Sequence, residues 1–115
     1  MATTPGGTET LFVYGSLLES GVRRRLLGCE VAILPARLPG YERRKARYFY
    51  VQERSGAETS GLLLMGLAGA QLEIIDVYEE VPLLYQRRRA QVIADGRGAV
   101  QAWVYIPTER LLSSG

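Results

Sequence analysis

Residues 11–17, Leu11-Phe12-Val13-Tyr14-Gly15-Ser16-Leu17, set a β-strand against an abrupt turn. Leu11 to Tyr14 is apolar and rich in β-formers, and Gly15-Ser16 ends the run at once, so the backbone turns where the strand stops. A glycine at that point lets a ligand approach the main chain closely. The amides of Gly15, Ser16 and Leu17 then suit a carboxylate, or a carbonyl oxygen that gains charge. An ordinary strand-to-helix turn has the same local pattern, because so short a motif carries little information by itself.

A second stretch, Gly69 to Glu80, supplies an acid. At about 100° per residue Leu72, Ile74, Ile75 and Tyr78 fall on one broad helical face. Glu79 lies about 65° from the centre of that face, Asp76 about 120° and Glu80 about 165°, so Glu79 is the carboxylate aimed inward. Pro82 stops the helix just beyond it. Partial desolvation at the rim of the core would raise the pKa of Glu79 and suit it to accept a proton near neutral pH. The competing reading is a rim glutamate ion-paired with one of the many arginines.

Working outward, residues 1–9 are expected to be a disordered leader, and Ser20 to Leu27 a short helix. Ser20 would cap that helix, with Val22, Leu26 and Leu27 inward and Arg23 to Arg25 mostly in solvent. Glu30 to Ala36 reads as a strand ended near Pro35, Pro39-Gly40 as a turn, and Arg47 to Gln52 as a strand broken by Ser55-Gly56. Ser60 to Leu67 is a continuous apolar run suited to a buried strand. Gln86 to Ala94 and Ala99 to Ile106, separated by Asp95-Gly96-Arg97-Gly98, form a hairpin pattern. Trp103 and Tyr105 share a strand face, which fits either core aromatics or a cleft wall. Residues 108–115 read as a frayed tail whose Leu111 and Leu112 have the option of docking. The order of elements is that of an α+β domain with a strongly curved or closed sheet, over residues 10–107.

Composition narrows the chemistry. With 115 residues, 47% of them apolar, the chain is long enough for one core. Its net charge of +2 is small, and its basic residues are scattered rather than gathered into a tail. There is no histidine and a single cysteine, Cys29. An intrachain disulfide is therefore impossible, and zinc and Ser-His chemistry lose their usual ligand and base. Cys29 is expected to be a small buried apolar side chain. The longest apolar stretch, Gly61 to Ala70, falls well short of the ~20 residues that span a bilayer. The polar Met1 to Gly7 segment is unlike a signal peptide, so a cytoplasmic setting is the default expectation, without membrane contact.

Taken in order, Phe12-Val13-Tyr14-Gly15-Ser16-Leu17, Gly61 opening a middle strand, Leu72-x-x-x-Asp76-x-Tyr78-Glu79 and Tyr85-x-Arg87 resemble the γ-glutamylcyclotransferase-like superfamily, particularly its AIG2-like and γ-glutamylamine cyclotransferase branches. The likeness covers residues 10 to 107. It implies a compact, mixed, β-barrel-like sheet with a short and a longer helix, and a cofactor-free cyclisation of a γ-glutamyl amide or peptide to 5-oxoproline. Glu79 would be the catalytic acid/base. Tyr14, Gly15, Ser16 and Leu17 would hold substrate, with Tyr48 and Tyr85 as aromatic positions near the cleft. The chain departs from the pattern at Glu80, where many relatives have glycine, and at Phe49, where many have proline.

Two other readings stand beside this one. The same fold can hold a small ligand without reacting it, although the presence of both the Gly15–Leu17 loop and Glu79 favours catalysis. A nucleic-acid protein would use Arg23 to Arg25, Arg43 to Lys45 with Arg47, and Arg87 to Arg89, interleaved with Tyr48 and Tyr50. Alternate strand residues face opposite sides, however, so Arg87 and Arg89 need not join Arg88. The expected partner is a small γ-glutamyl substrate rather than nucleic acid, with the protein a monomer or weak homodimer.

Overall fold

Alternate residues of the opening strand serve two different cores. In the computed structural model, which describes residues 7–113, Phe12 and Tyr14 join one buried cluster while Leu11 and Val13 join another. Apart from Tyr14, which follows directly on the opening strand, the first cluster draws on strands: Leu38, Val51, Leu63, Val92, Ala102 and Val104 join Phe12. The second collects the helices, through Leu17, Leu72, Ile75 and Leu111. Such a division follows when a sheet closes on itself, with one face turned into the ring and the other covered by helices. Each fully buried Leu or Phe contributes about 1.5–3 kcal/mol relative to exposure.

The elements are β1 (Glu9–Val13), a 3-10 turn (Ser16–Leu18), α1 (Ser20–Leu27), β2 (Ala32–Lys45), β3 (Phe49–Leu67), α2 (Gly69–Tyr78), β4 (Tyr85–Ala94), β5 (Gly98–Pro107) and α3 (Glu109–Ser113). The strands form a closed barrel in the order β1-β3-β2-β4-β5. Pairing is antiparallel except where β1 meets β5, Leu11 opposite Trp103 and Phe12 opposite Val104. This is the expected α+β, mixed, barrel-like fold.

Several local expectations are corrected. Pro35, Pro39-Gly40 and Ser55-Gly56 do not end strands: β2 and β3 run on as one long hairpin of 14 and 19 residues. Gly40 (φ 82°) and Gly56 (φ 83°) supply left-handed residues where the register jumps from Pro39–Glu58 to Tyr41–Glu53, so the breakers make an irregularity instead of a turn. The prolines are tolerated because β4 pairs β2 only at Ala36 and Arg37, leaving the rest of that side an edge. Glu19, not Ser20, is the N-cap of α1, and no side chain caps it. Arg23 is buried rather than solvated, donating to the carbonyls of Leu17 and Leu18 at 2.9 and 2.8 Å. Ile74, placed on the inner face by the helical wheel, is 43% exposed. Cys29 is only partly buried and accepts a hydrogen bond from Gln71 Nε2 at 3.6 Å.

At the C-terminal end the expected frayed tail is replaced, over Glu109–Ser113, by a helix that buries Leu111 completely and leaves Leu112 exposed. Of the expected leader, residues 1–6 lie outside the described residues, and Glu9 already belongs to β1. The β4–β5 hairpin forms as its sequence pattern predicts.

Candidate active site

One glycine decides how closely the site's first loop can be drawn in. A Cβ on Gly61 would lie 2.2 Å from the carbonyl oxygen of Val13 and 2.7 Å from Cζ of Phe12, so β3 approaches the end of β1 at a distance that admits no side chain. Beyond Val13 the chain turns, and most of its carbonyls are taken up by side chains and by the turn itself. Arg43 donates to Tyr14 O at 2.9 Å, Arg23 holds those of Leu17 and Leu18, and Leu18 N reaches back to Gly15 O at 3.0 Å. The amides of Ser16 and Leu17 open the 3-10 turn and have no carbonyl within it.

The second wall is the end of α2. The Gln71 side chain accepts the Ala68 amide at 2.8 Å at its start. At its finish Glu79 is the C-cap, with its own amide bonded to Ile75 O at 2.9 Å. Glu80 then adopts a left-handed conformation, φ 59°, that reverses the chain ahead of Pro82. The Ser16 and Tyr78 hydroxyls, 2.7 Å apart, tie the loop to the helix end.

Between these walls lies a cavity of about 450 Å³. Every site residue expected from the sequence, Glu79, Tyr14, Gly15, Ser16, Leu17, Tyr48 and Tyr85, lines it. Glu79 has no hydrogen-bond or ion-pair partner among the described residues, so the expected alternative of an arginine-paired rim carboxylate does not form. Burial pushes its pKa up to about 7. Around it stand tyrosines whose protons are committed elsewhere: Tyr14 donates to Tyr105 O at 2.7 Å, Tyr85 to Phe49 O at 2.6 Å, and Tyr105 to Asp76 Oδ1 at 2.7 Å. Burial raises all three phenols, helped by Tyr85 and Glu79 at Tyr14, by Glu79 and Tyr48 at Tyr85, and by Asp76 and then Glu79 at Tyr105, so they stay protonated.

The reading from sequence missed Asp76, Lys45 and Arg47 as parts of this region, and left Tyr105 open between core and cleft wall. Asp76 is well off the apolar face of α2, yet its Oδ1 also accepts from Arg87 Nε at 2.8 Å, and Arg87 is the cross-strand partner of Tyr105. The sequence signal was the hairpin register, which puts Arg87 opposite Tyr105 once Asp95 to Gly98 is taken as the turn. Tyr105 lines the cavity, whereas Trp103 packs against Arg87 and Arg89 and donates to Glu9. Among the described residues no cluster of His, Cys, Asp and Glu is arranged to hold a metal, and no helix is long and apolar enough to cross a membrane.

A sequence model of the family described as "Gamma-glutamyl cyclotransferase, AIG2-like" matches residues 11–114. The chain belongs to this family. Protein AIG2 B of Arabidopsis thaliana is 34% identical over 89 residues, which are 75% of this chain and 52% of that one. A second Arabidopsis thaliana protein, solved in solution, superposes with a TM-score of 0.82 at 25% identity, over 96% of this chain and 68% of its own. A solved γ-glutamyl cyclotransferase shares the fold at a TM-score of 0.76 and 17% identity, over 87% of this chain and 66% of its own. The chain spans about half to two thirds of the length of the curated relatives it matches.

Proposed function

We propose that this family member is an active γ-glutamyl cyclotransferase, in which Glu79 moves protons while a γ-glutamyl amide closes to 5-oxoproline and releases its amine. The observation that carries this reading is the solitary Glu79 carboxylate, unpaired among the described residues, in a cavity whose lining also includes the Gly15–Leu17 loop. The substrate brings its own nucleophile, since the α-amine and the γ-carbonyl belong to one glutamyl unit. The enzyme's part is to hold the folded conformer and to handle protons.

Glu79 takes a proton from the α-ammonium and frees its lone pair. The nitrogen attacks the γ-carbonyl carbon, and amides of the Gly15–Leu17 loop face the oxygen that gains charge. As the tetrahedral centre collapses, the bond to the outgoing nitrogen breaks and its electron pair takes the proton from Glu79. Over the cycle the ring nitrogen loses two protons and the leaving nitrogen gains two, so the amine departs as an ammonium ion and Glu79 ends ionised, as it began. A carboxyl poised at about 7 serves as both acceptor and donor near neutral pH.

Release of 5-oxoproline from a panel of γ-glutamyl peptides and amides tests this. Glu79→Gln is expected to keep its fold and lose at least about 100-fold in kcat. Activity of the native chain should decline as pH falls below about 7, where Glu79 becomes protonated. Ligand binding without product across the whole panel would instead favour a non-catalytic binding role.

A further inference from the structure

The two ends of the cavity carry opposite polarity. At the inner wall the hydroxyl protons of Tyr14, Tyr85 and Tyr105 are all donated to fixed acceptors, so toward a ligand these oxygens have only lone pairs to offer. With the Glu79 carboxylate they make a wall of acceptors, suited to the positive end of a ligand.

At the mouth the turn between β2 and β3 brings Lys45 and Arg47 to the cavity lining. Lys45 Nζ stands 5.1 Å from the centre of the Phe49 ring, and the Arg47 guanidinium 5.5 Å from that of Tyr48. Neither has a carboxylate within ion-pair distance among the described residues, although Arg44, just before Lys45, is paired with Glu42. Arg43 is already engaged with Tyr14 O and the face of Phe49. The acids that face the cavity, Glu79 and Glu80, both come from the opposite side, at the end of α2.

We infer that Lys45 and Arg47 form an anion subsite for the departing half of the substrate, and that this protein selects γ-glutamyl amides whose leaving amine carries a carboxylate or similar anion over those whose leaving amine carries no second charge or a second cation. The inference rests on the cyclotransferase reading for the placement of the glutamyl half. With the α-ammonium against Glu79 and the loop amides on the carbonyl, the leaving group is directed outward, past the β2–β3 turn. Cations held on aromatic faces remain available to an incoming anion, because a ring does not neutralise them.

The test is calorimetric binding to Glu79→Gln protein, which needs no turnover. γ-Glutamyl-alanine, γ-glutamyl-alaninamide and mono-γ-glutamyl-1,4-diaminobutane share the glutamyl half and differ in the charge of the other. The carboxylate compound is expected to bind about tenfold more tightly than the amide at low salt, and the diamine compound more weakly still. The preference should shrink with added salt. Introducing Lys45→Glu and Arg47→Glu together should bring the ratio to one or below, with far-ultraviolet circular dichroism confirming the fold.

Equal affinities, no binding of any compound, or a preference that survives the double substitution would overturn the subsite. A double variant that weakens all three compounds by one common factor would also overturn it, since the cations would then be serving the glutamyl half's own carboxylate. Failure of the wild-type chain to release 5-oxoproline would count against the cyclotransferase reading alone, because the affinity ratio is measured without chemistry.

Discussion

The end of α2 and the turn between β2 and β3 face each other across one cavity, and they are built on different terms. Around α2 nearly every polar group has its partner: Asp76 with Arg87 and Tyr105, Tyr14 with Tyr105 O, Tyr85 with Phe49 O. The half-buried Glu79 carboxylate has no partner among the described residues. Across from it, Lys45 and Arg47 rest on rings without counter-ions among the described residues, and Tyr48 is 42% exposed. A single unpaired group inside a satisfied frame has one geometry and a shifted pKa, whereas unpaired groups on an open rim keep ordinary chemistry and adapt to what arrives. The frame suits a reaction and the rim suits a choice.

Perturbing the frame gives the largest expected effect. A carboxyl whose folded pKa is about 7 and whose unfolded value is near 4.5 favours folding when protonated. Below pH 4.5 it is neutral in both states and costs nothing. Between 4.5 and 7 the unfolded chain gives up the proton first, so stability falls, and above 7 the cost levels off at about 3 kcal/mol. Glu79→Gln should therefore match the native chain in chemical denaturation at pH 4 and exceed it by about 3 kcal/mol at pH 8. A difference independent of pH would mean that the carboxylate is solvated after all, and the contrast between frame and rim would fail.

A smaller effect is expected at the strand crossing that positions the loop. Gly61→Ala puts a methyl group into the Val13 carbonyl and should destabilise by about 2 kcal/mol, through overpacking. It should also lower 5-oxoproline release beyond what the stability loss explains, because the Gly15–Leu17 turn moves with β1. Unchanged kinetics would detach the loop from the chemistry.

The smallest effect is expected at Glu80, the one described non-glycine residue with positive φ. Glu80→Gly removes left-handed strain of about 1–2 kcal/mol and adds chain entropy to the unfolded state, for a net gain of about 0.5 kcal/mol in thermal or denaturant unfolding. A clear loss of stability would show that the Glu80 side chain makes an energetic contribution at the rim.

Much of the frame was legible along the chain and much of the rim was not. The halt of β1 at Gly15, the inward placement of Glu79 and the Asp95–Gly98 hairpin turn are all local patterns, settled within a few residues. The long β2–β3 hairpin escaped because Pro35, Pro39-Gly40 and Ser55-Gly56 carry the usual marks of chain breaks. Whether such residues end a strand or bulge it depends on a partner strand that local patterns do not show. Asp76 escaped for a related reason. A helical wheel ranks its distance from the apolar face but is blind to Arg87 and Tyr105, which come from a different hairpin. The pattern of departures named Phe49 and Glu80, and both line the cavity, one under the stacked cations and the other beside Glu79.

The parallel contact of β1 with β5 has a consequence for how the protein comes into being. The first strand sits between β3 and the last strand of the ring, so the Gly15 turn has its final surroundings only after residues some 90 positions downstream have been made and threaded alongside. On a ribosome the emerging chain would pass through a long interval with apolar strands made but unclosed, exposed to misassociation, and no ligand could rescue it by binding early.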